Sequence, residues 1–273
     1  MQVRRFSLPL LASLALGLAG AGCSTDSTTN PTTSFTQQDA DDAAVQASIA
    51  LANLGAVIGG AALDGGSSAS TGSTLRLQSR HPGLGVRTDT TWTEGALVVT
   101  LSRRWFSLAG IEQDTPDETT DSVRVTSRIA GSDSTERYAV TVGHAGASSI
   151  GGLNPARDEL WIDIVQADTL VSRFEALHRP VTRWFEGRTT TIANDVRWIK
   201  PTTVPTYPAS GTLVMTLAAV AYRDGARIDV EKSWNALIVV RFNGTRYPNV
   251  VINGSWHYVW DVETGLIIRA GSA

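Results

Sequence analysis

Histidines are the first side chains of this 273-residue chain to consider for chemistry, because they serve as metal ligands and as general bases. The chain has four of them: His81, His144, His178 and His257. A locally encoded metal site needs ligands at short spacing, and these histidines are widely separated. The spacing therefore predicts no metal site.

The acidic segment 111–121 is a second group of candidate ligands, since calcium is held by several oxygen atoms. Its spacing does not match an EF-hand loop, and no glycine within it supplies the tight turn. We expect a solvated acidic loop here, and we predict no cofactor for this chain.

A serine nucleophile would need a histidine as base and a carboxylate to orient that histidine. The chain offers Ser148 or Ser149, His144 or His257, and Asp163. These residue types are common, and the motifs G-x-S-x-G and H-E-x-x-H, the P-loop and a full G-x-G-x-x-G are absent. We therefore predict no catalytic residues. A secreted hydrolase with a spatially assembled Ser/His/Asp site is the alternative function.

Aromatic side chains form the most suggestive group, with eight tryptophans in the chain. Trp256, Tyr258 and Trp260 alternate along one predicted strand and so share one face. Most such stripes belong to the core, because large aromatics bury much area. The alternative is the wall of a pocket for an apolar or sugar ligand. These three residues are therefore the candidate ligand-binding residues, with core packing as the first interpretation.

One helix precedes the strands that must position these residues. Three aspartates between positions 39 and 42 would stabilise a helix N-terminus. Apolar residues then recur every three or four positions, as Val45 and Ile49 do. The pattern predicts a helix over 39–58 that ends near Gly59 and packs on the rest of the fold.

From residue 75 onward the hydrophobic period is two, which is typical of strands with one buried face. Asp-Gly or Asn-Gly pairs separate the apolar runs at 224–225, 243–244 and 253–254. Short connections require antiparallel pairing, because parallel strands need long crossovers. The predicted fold class is mainly β: an antiparallel meander forming a curved sheet, open barrel or sandwich, with one N-terminal α-helix packed on it.

Two details of the strand region lead to further expectations. Residues 213–222 and 234–242 are apolar at both alternating positions, which predicts central strands covered on both faces. The tripeptide Arg-Trp-Phe occurs at 104–106 and again at 183–185, which leaves an internal duplication open.

The first 23 residues have the layout of a targeting signal. Arg4 and Arg5 precede an apolar run over 6–18, and small residues then lead to Cys23, the only cysteine. This layout resembles the signal peptide of bacterial lipoproteins. The resemblance implies that residues 1–22 are removed and that Cys23 is acylated, for example with palmitate. The small residues before Cys23 also fit an ordinary signal cut, which would give a soluble secreted or periplasmic protein.

Residues 23–38 separate this signal from the folded region. They are rich in serine, threonine, asparagine, proline and glutamine, so they cannot bury enough surface to offset their ordering entropy. We predict a disordered tether over 23–38 and a single β-rich domain over 39–273.

Charge excludes one class of partner. The chain has 23 basic and 26 acidic residues, a net charge of −3, and no basic run, so we predict no nucleic-acid partner. The predicted function is a lipoprotein anchored through Cys23 to the outer membrane, facing the periplasm or the cell surface. Its non-catalytic β domain would bind an envelope protein or an apolar ligand. This general form resembles some periplasmic lipoprotein carriers at the level of fold alone.

Overall fold

The computed structural model describes residues 34–62, 89–135, 138–175, 182–200, 207–224 and 230–270. Cys23, His81, His178 and the predicted signal over 1–22 lie outside these ranges. Within the described ranges, one helix and twelve strands follow in chain order: α1 Gln37–Ala62, β1 Asp89–Glu94, β2 Leu97–Ser107, β3 Glu112–Gln113, β4 Thr120–Thr135, β5 Tyr138–Gly151, β6 Glu159–Glu175, β7 Thr182–Ile199, β8 Ser210–Asp224, β9 Val230–Arg241, β10 Asn249–Ile252, β11 Trp256–Asp261 and β12 Leu266–Arg269.

All the strands belong to one antiparallel sheet. The order along it is β1-β2-β4-β5-β6-β7-β8-β9-β10-β11-β12, and the short β3 pairs with β2. Among the described residues β1 and β12 do not pair with each other, so the sheet is not closed. This confirms the predicted mainly β fold with an antiparallel meander.

Side chains alternate between the two faces of the sheet, and one face carries the core. Fully buried residues in the middle of this inner face include Val125, Leu213, Met215 and Ile238. On the opposite, outer face, Leu237 of β9 is 46 % exposed. The prediction that residues 213–222 and 234–242 are covered on both faces is therefore wrong. Their inner-face side chains are buried in the core, while apolar side chains on the outer face stay partly open to solvent.

Helix α1 packs on the inner face through small side chains. Five alanines are 0–2 % exposed: Ala40, Ala43, Ala44, Ala47 and Ala50. The helix begins at Gln37 because Thr36 and Asp39 form a capping box. The Thr36 N–H donates to the Asp39 carboxylate at 2.6 Å, and the Asp39 N–H donates to the Thr36 hydroxyl at 3.4 Å. The helix ends at Ala62, so it extends beyond both ends of the predicted 39–58.

The folded domain begins before residue 39, the first residue of the predicted domain. Phe35 packs edge to face on Trp234 of β9, with ring centroids 5.6 Å apart. Lys232 of β9 forms an ion pair with Asp39 at 2.5 Å. The last residues of the predicted tether, 34–38, are therefore part of the folded domain, and Phe35 is the apolar residue that holds them there.

Glycine-containing turns connect the strands of the C-terminal hairpins. Asn253 and Gly254 have φ values of 48° and 71°, the pair of positive angles that a type I′ turn requires, and with Ser255 they form the three-residue loop that joins β10 to β11. Asn243 and Gly244 lie instead in a longer connection between β9 and β10. There the side chain of Asn243 accepts from the N–H of Thr245 at 3.1 Å. The predicted hairpin is present, but its turn is longer than two residues.

The repeated Arg-Trp-Phe tripeptide does not occupy equivalent positions. In β2 the tryptophan, Trp105, lies on the inner face and is buried. In β7 the phenylalanine, Phe185, is the buried residue, and Trp184 lies on the outer face. A shift of one residue moves a side chain to the opposite face, so the geometry argues against an internal duplication.

Candidate functional site

A group of polar side chains lies on the inner face beneath α1, among apolar core residues. Each is at most 7 % exposed, and we call the group the inner polar patch: Gln46, Ser127, His144, Ser148, Gln166, Asp168, Thr189 and Thr191. One member comes from α1, and the others come from the four consecutive strands β4 to β7. Burial of such groups is unfavourable unless they are hydrogen-bonded, so their contacts are informative.

Three members form a hydrogen-bonded chain. His144 Nδ1 lies 2.8 Å from Asp168 Oδ1, and His144 Nε2 lies 2.8 Å from Ser127 Oγ. With a carboxylate at Asp168, Nδ1 donates its proton and Nε2 accepts from the serine hydroxyl. These are the atom-to-atom contacts that join serine, base and orienting carboxylate in a hydrolytic triad.

Strand register brings these three side chains together. His144 of β5 lies directly opposite Asp168 of β6. Ser127 of β4 lies opposite Gly146, so the imidazole must reach it across a diagonal. Gly146 permits this approach, because a Cβ there would lie 3.1 Å from both Cε1 and Nε2 of the His144 ring.

Gln166 connects this chain to the helix. Its side-chain nitrogen donates to Asp168 Oδ2 and to the carbonyl oxygen of Ala50, each at 3.0 Å. Both carboxylate oxygens of Asp168 are thus hydrogen-bonded. One amide therefore contacts both the carboxylate and α1.

The remaining members of the patch have no hydrogen-bond partner in the described part of the chain. They are Ser148 Oγ, Thr189 Oγ1, Thr191 Oγ1 and both amide atoms of Gln46. Gln46 lies over Gly187 of β7, where a Cβ would approach its Cδ to 3.1 Å. A buried polar group without a partner costs about 1–3 kcal/mol. Four such side chains lie together in this patch, and the other such groups in the described core include the indole nitrogens of Trp105, Trp234 and Trp260.

Polar contacts hold the N-terminal half of α1 over the C-terminal strands. Asp41 accepts from the Tyr258 hydroxyl at 2.6 Å and from Arg269 Nη2 at 2.7 Å. The backbone N–H of Ile267 on β12 donates to Ser48 Oγ at 2.9 Å. Burial raises the pKa of the Tyr258 phenol, and its hydrogen bond to Asp41 raises that pKa further. The hydroxyl therefore remains a donor to Asp41 at neutral pH.

The serine, histidine and carboxylate candidates chosen from sequence do not form a triad: Ser149 lies directly opposite Asp163, but His144 lies on the other face and bonds to Ser127 and Asp168 instead. Three of them lie on the outer face of the sheet: Ser149, Asp163 and His257. Ser148 is buried but has no partner in the described residues. Sequence reasoning missed Ser127 and Asp168 because both are ordinary inward positions of their strands. Only the register between strands, which spacing along the chain does not give, distinguishes them.

The predicted aromatic stripe lies on the inner face of β11. Tyr258 and Trp260 are buried, and Trp256 is half-buried. Trp260 contacts Phe242 edge to face, with ring centroids 6.1 Å apart. This is the core packing that was the first interpretation, and a role of the three residues in ligand binding stays a prediction.

Two other surface features lie away from the inner polar patch. An apolar row crosses the outer face in register: Val165, Ile192, Val214, Val239 and Val251. A surface cleft of about 530 Å³ lies beside Trp161 and is lined mostly by charged side chains. Its Arg197 is already held by Asp195 and Glu159. Among the described residues, no group of three or more histidine, cysteine or carboxylate side chains could hold a metal ion.

Comparison of the chain with protein-family models, curated proteins and solved structures finds no match. In the part of the chain that the structure describes, no helix has both the length and the apolar character needed to cross a membrane.

Proposed function

We propose that this chain is a lipid-anchored cell-envelope protein whose β domain binds an apolar ligand on the inner face, beneath α1. The observation that carries the proposal is the inner polar patch, in which four buried side chains without described partners lie within an apolar surface. Ligand sites are mostly apolar, with a few polar groups that fix orientation. A ligand with a long apolar part and a small polar group would match both properties.

Helix α1 is the element that would move to admit such a ligand. It meets the inner face largely through alanines, and each alanine buries less apolar area than a larger aliphatic side chain would. Two of its polar contacts to the sheet converge on Asp41. Opening therefore requires the loss of a few identifiable contacts, and the ligand would replace the apolar area that α1 buries.

The anchor is proposed from the sequence around Cys23, with the protein on the outer membrane facing the periplasm or the cell surface. Cys23→Ser should release the protein from the membrane fraction and abolish acyl labelling. A variant that stays bound to membranes through detergent-free washing would place the anchor elsewhere in the chain.

The binding proposal is tested with Asp41→Asn and a dansyl-labelled fatty acid. The hydrogen bond from the buried Tyr258 hydroxyl to the charged carboxylate contributes about 1.5–3 kcal/mol, and this substitution weakens it. The open state then becomes more populated. Because about 1.4 kcal/mol corresponds to tenfold, the apparent Kd of the probe should fall about tenfold or more. Fluorescence titration measures this Kd and should give one probe per protein.

Glu186→Gln is the matched control. It makes the same change of charge on the outer face, where Glu186 pairs with Arg188 at 3.1 Å. Its probe affinity should equal that of the wild type, and the thermal midpoint of each variant shows whether it is folded. If the probe does not bind, or if Asp41→Asn leaves its Kd unchanged, the inner face beneath α1 is not the binding site.

A further inference from the structure

We propose that Ser127 is a nucleophile that accepts the acyl group of an ester bound on the inner face. The inference rests on the proposed function, because α1 must open before a substrate can reach Ser127. The protein would then not only bind an apolar ligand but also hydrolyse one class of ligand, the esters of long-chain acids.

The hydrogen-bonded chain supplies the parts that serine chemistry needs. Ser127 bonds to Nε2 and Asp168 bonds to Nδ1 of the same imidazole, both at 2.8 Å. The base that would take the serine proton is therefore held in the required tautomer. Asp168 is fixed in turn by Gln166, at 3.0 Å. The nucleophile, the base, its orienting carboxylate and a support for that carboxylate are all present.

Ser148 is placed to stabilise the charge that develops on the ester oxygen. It lies two residues beyond Gly146 on the same face of β5, and Gly146 is the register partner of Ser127. Its hydroxyl is buried and has no partner in the described part of the chain. A hydroxyl donor that has no competing partner can turn toward an oxyanion and hold it.

Apolar side chains beside Ser127 offer a surface for the acyl chain. Val125 and Ile129 flank Ser127 on the inner face of β4, and Leu101 of β2 lies opposite it. All three are at most 6 % exposed. A long acyl chain could therefore lie along the strands with its carbonyl carbon at the serine hydroxyl.

The reaction balances without a further cofactor. Ser127 Oγ forms a bond to the carbonyl carbon while its proton passes to His144 Nε2. The bond to the alcohol oxygen then breaks, and the alcohol leaves with that proton. Water, deprotonated by the same nitrogen, attacks the acyl-serine, releases the carboxylic acid and restores the serine hydroxyl.

Helix α1 controls access to this chemistry. With α1 in place, Ser127 is 7 % exposed and His144 is 3 % exposed, so the pair is shielded from water and substrate. The nitrogen of Gln166 that donates to Ala50 of α1 also donates to Asp168. The hydrogen bonds of His144 to Ser127 and Asp168 lie wholly within the sheet, so departure of α1 removes neither of them directly.

A long-chain alkyl fluorophosphonate tests the inference, because a nucleophilic serine displaces its fluoride. The full-length protein is labelled in membrane vesicles, and the modified peptide is identified by mass spectrometry. Labelling is expected on Ser127, about tenfold faster in Asp41→Asn than in the wild type. In the Asp41→Asn background, Ser127→Ala should abolish it, and Asp168→Asn should slow it at least about a hundredfold.

Titration of the same variants with the dansyl-labelled fatty acid distinguishes failure of this inference from failure of the proposed binding function. If the fatty acid binds but Ser127 is not labelled, the nucleophile is wrong and the proposed binding function stands. If the fatty acid does not bind, the proposed function fails and this inference fails with it. The mapped peptide from Asp41→Asn decides the identity of the nucleophile even if Ser127→Ala does not fold.

Discussion

Gly146→Ala should destabilise the protein by about 2–4 kcal/mol. The added Cβ would lie 3.1 Å from the Cε1 and Nε2 atoms of His144 and from the Cβ of Gln166, so the imidazole must move. Displacement breaks its bond to Ser127, and a buried hydroxyl without a partner costs about 1–3 kcal/mol. Overpacking adds about 1–3 kcal/mol. The smaller backbone entropy of unfolded alanine offsets about 0.5–1 kcal/mol.

Gly143→Ala on the same strand is the matched control for this prediction. Its Cβ would point to the outer face and meet only the side chain of Thr169, whose hydroxyl lies 2.5 Å away. This exposed hydroxyl can rotate aside, so the free energy of unfolding should change by less than about 1 kcal/mol. Urea denaturation followed by tryptophan fluorescence measures both variants.

Nitrogen-15 NMR of the imidazole shows whether the predicted contact is the one that breaks. In the wild type, His144 should be a single tautomer with its proton on Nδ1, and Gly146→Ala should change its signals. Equal stability of Gly146→Ala and Gly143→Ala, with the His144 signals unchanged, would refute the reasoning.

Three further predictions concern stability outside the inner polar patch. Trp260→Ala should lower the free energy of unfolding by about 3–5 kcal/mol in urea, because it empties a buried aromatic site; a loss below about 1 kcal/mol would contradict this. The hydrogen bonds from Arg246 lower the pKa of Asp261. They therefore stabilise the folded protein above the ordinary pKa of 3.8, and this stabilisation is lost as pH falls below it. Asp261→Asn should therefore have a free energy of unfolding about 1 kcal/mol below that of the wild type at pH 7, and the two proteins should become equally stable in strong acid. Calorimetry measures both, and an equal difference at the two pH values would contradict the prediction. Deletion of residues 24–33 should leave the thermal midpoint within a few degrees, but deletion of 24–38 should lower it further because Phe35 and the Thr36 cap of α1 are lost; equal midpoints would show that residues 34–38 contribute nothing.

The fold class could be predicted because it depends on local signals. Alternation at period two defined the strands, and the pair at 253–254 has the positive φ angles that a type I′ turn needs. The first residue of α1 was harder to predict from the sequence, because it depends on the capping box between Thr36 and Asp39 and on a distant contact of Phe35 with Trp234. Coverage of the outer face was predicted wrongly, because β-branched residues favour strands whether or not a second layer covers them.

The candidate site could not be predicted from the sequence. His144 was named, but its partners Ser127 and Asp168 lie 17 and 24 residues away and are brought together by the pairing of β4, β5 and β6. A shift of one residue in either pairing would have placed the partners on the outer face. Gly146, which gives the imidazole its space, has no signature in the sequence that separates it from a turn glycine.

Photo-cross-linking tests most directly whether α1 covers a ligand site. A long-chain fatty acid that carries a diazirine is irradiated with the full-length Asp41→Asn variant, and the cross-linked residues are mapped by mass spectrometry. Cross-links are expected on the inner face, at Val125, Leu213 or their neighbours, and an excess of unlabelled fatty acid should remove them. Cross-links confined to the outer apolar row, from Val165 to Val251, would contradict the proposed site.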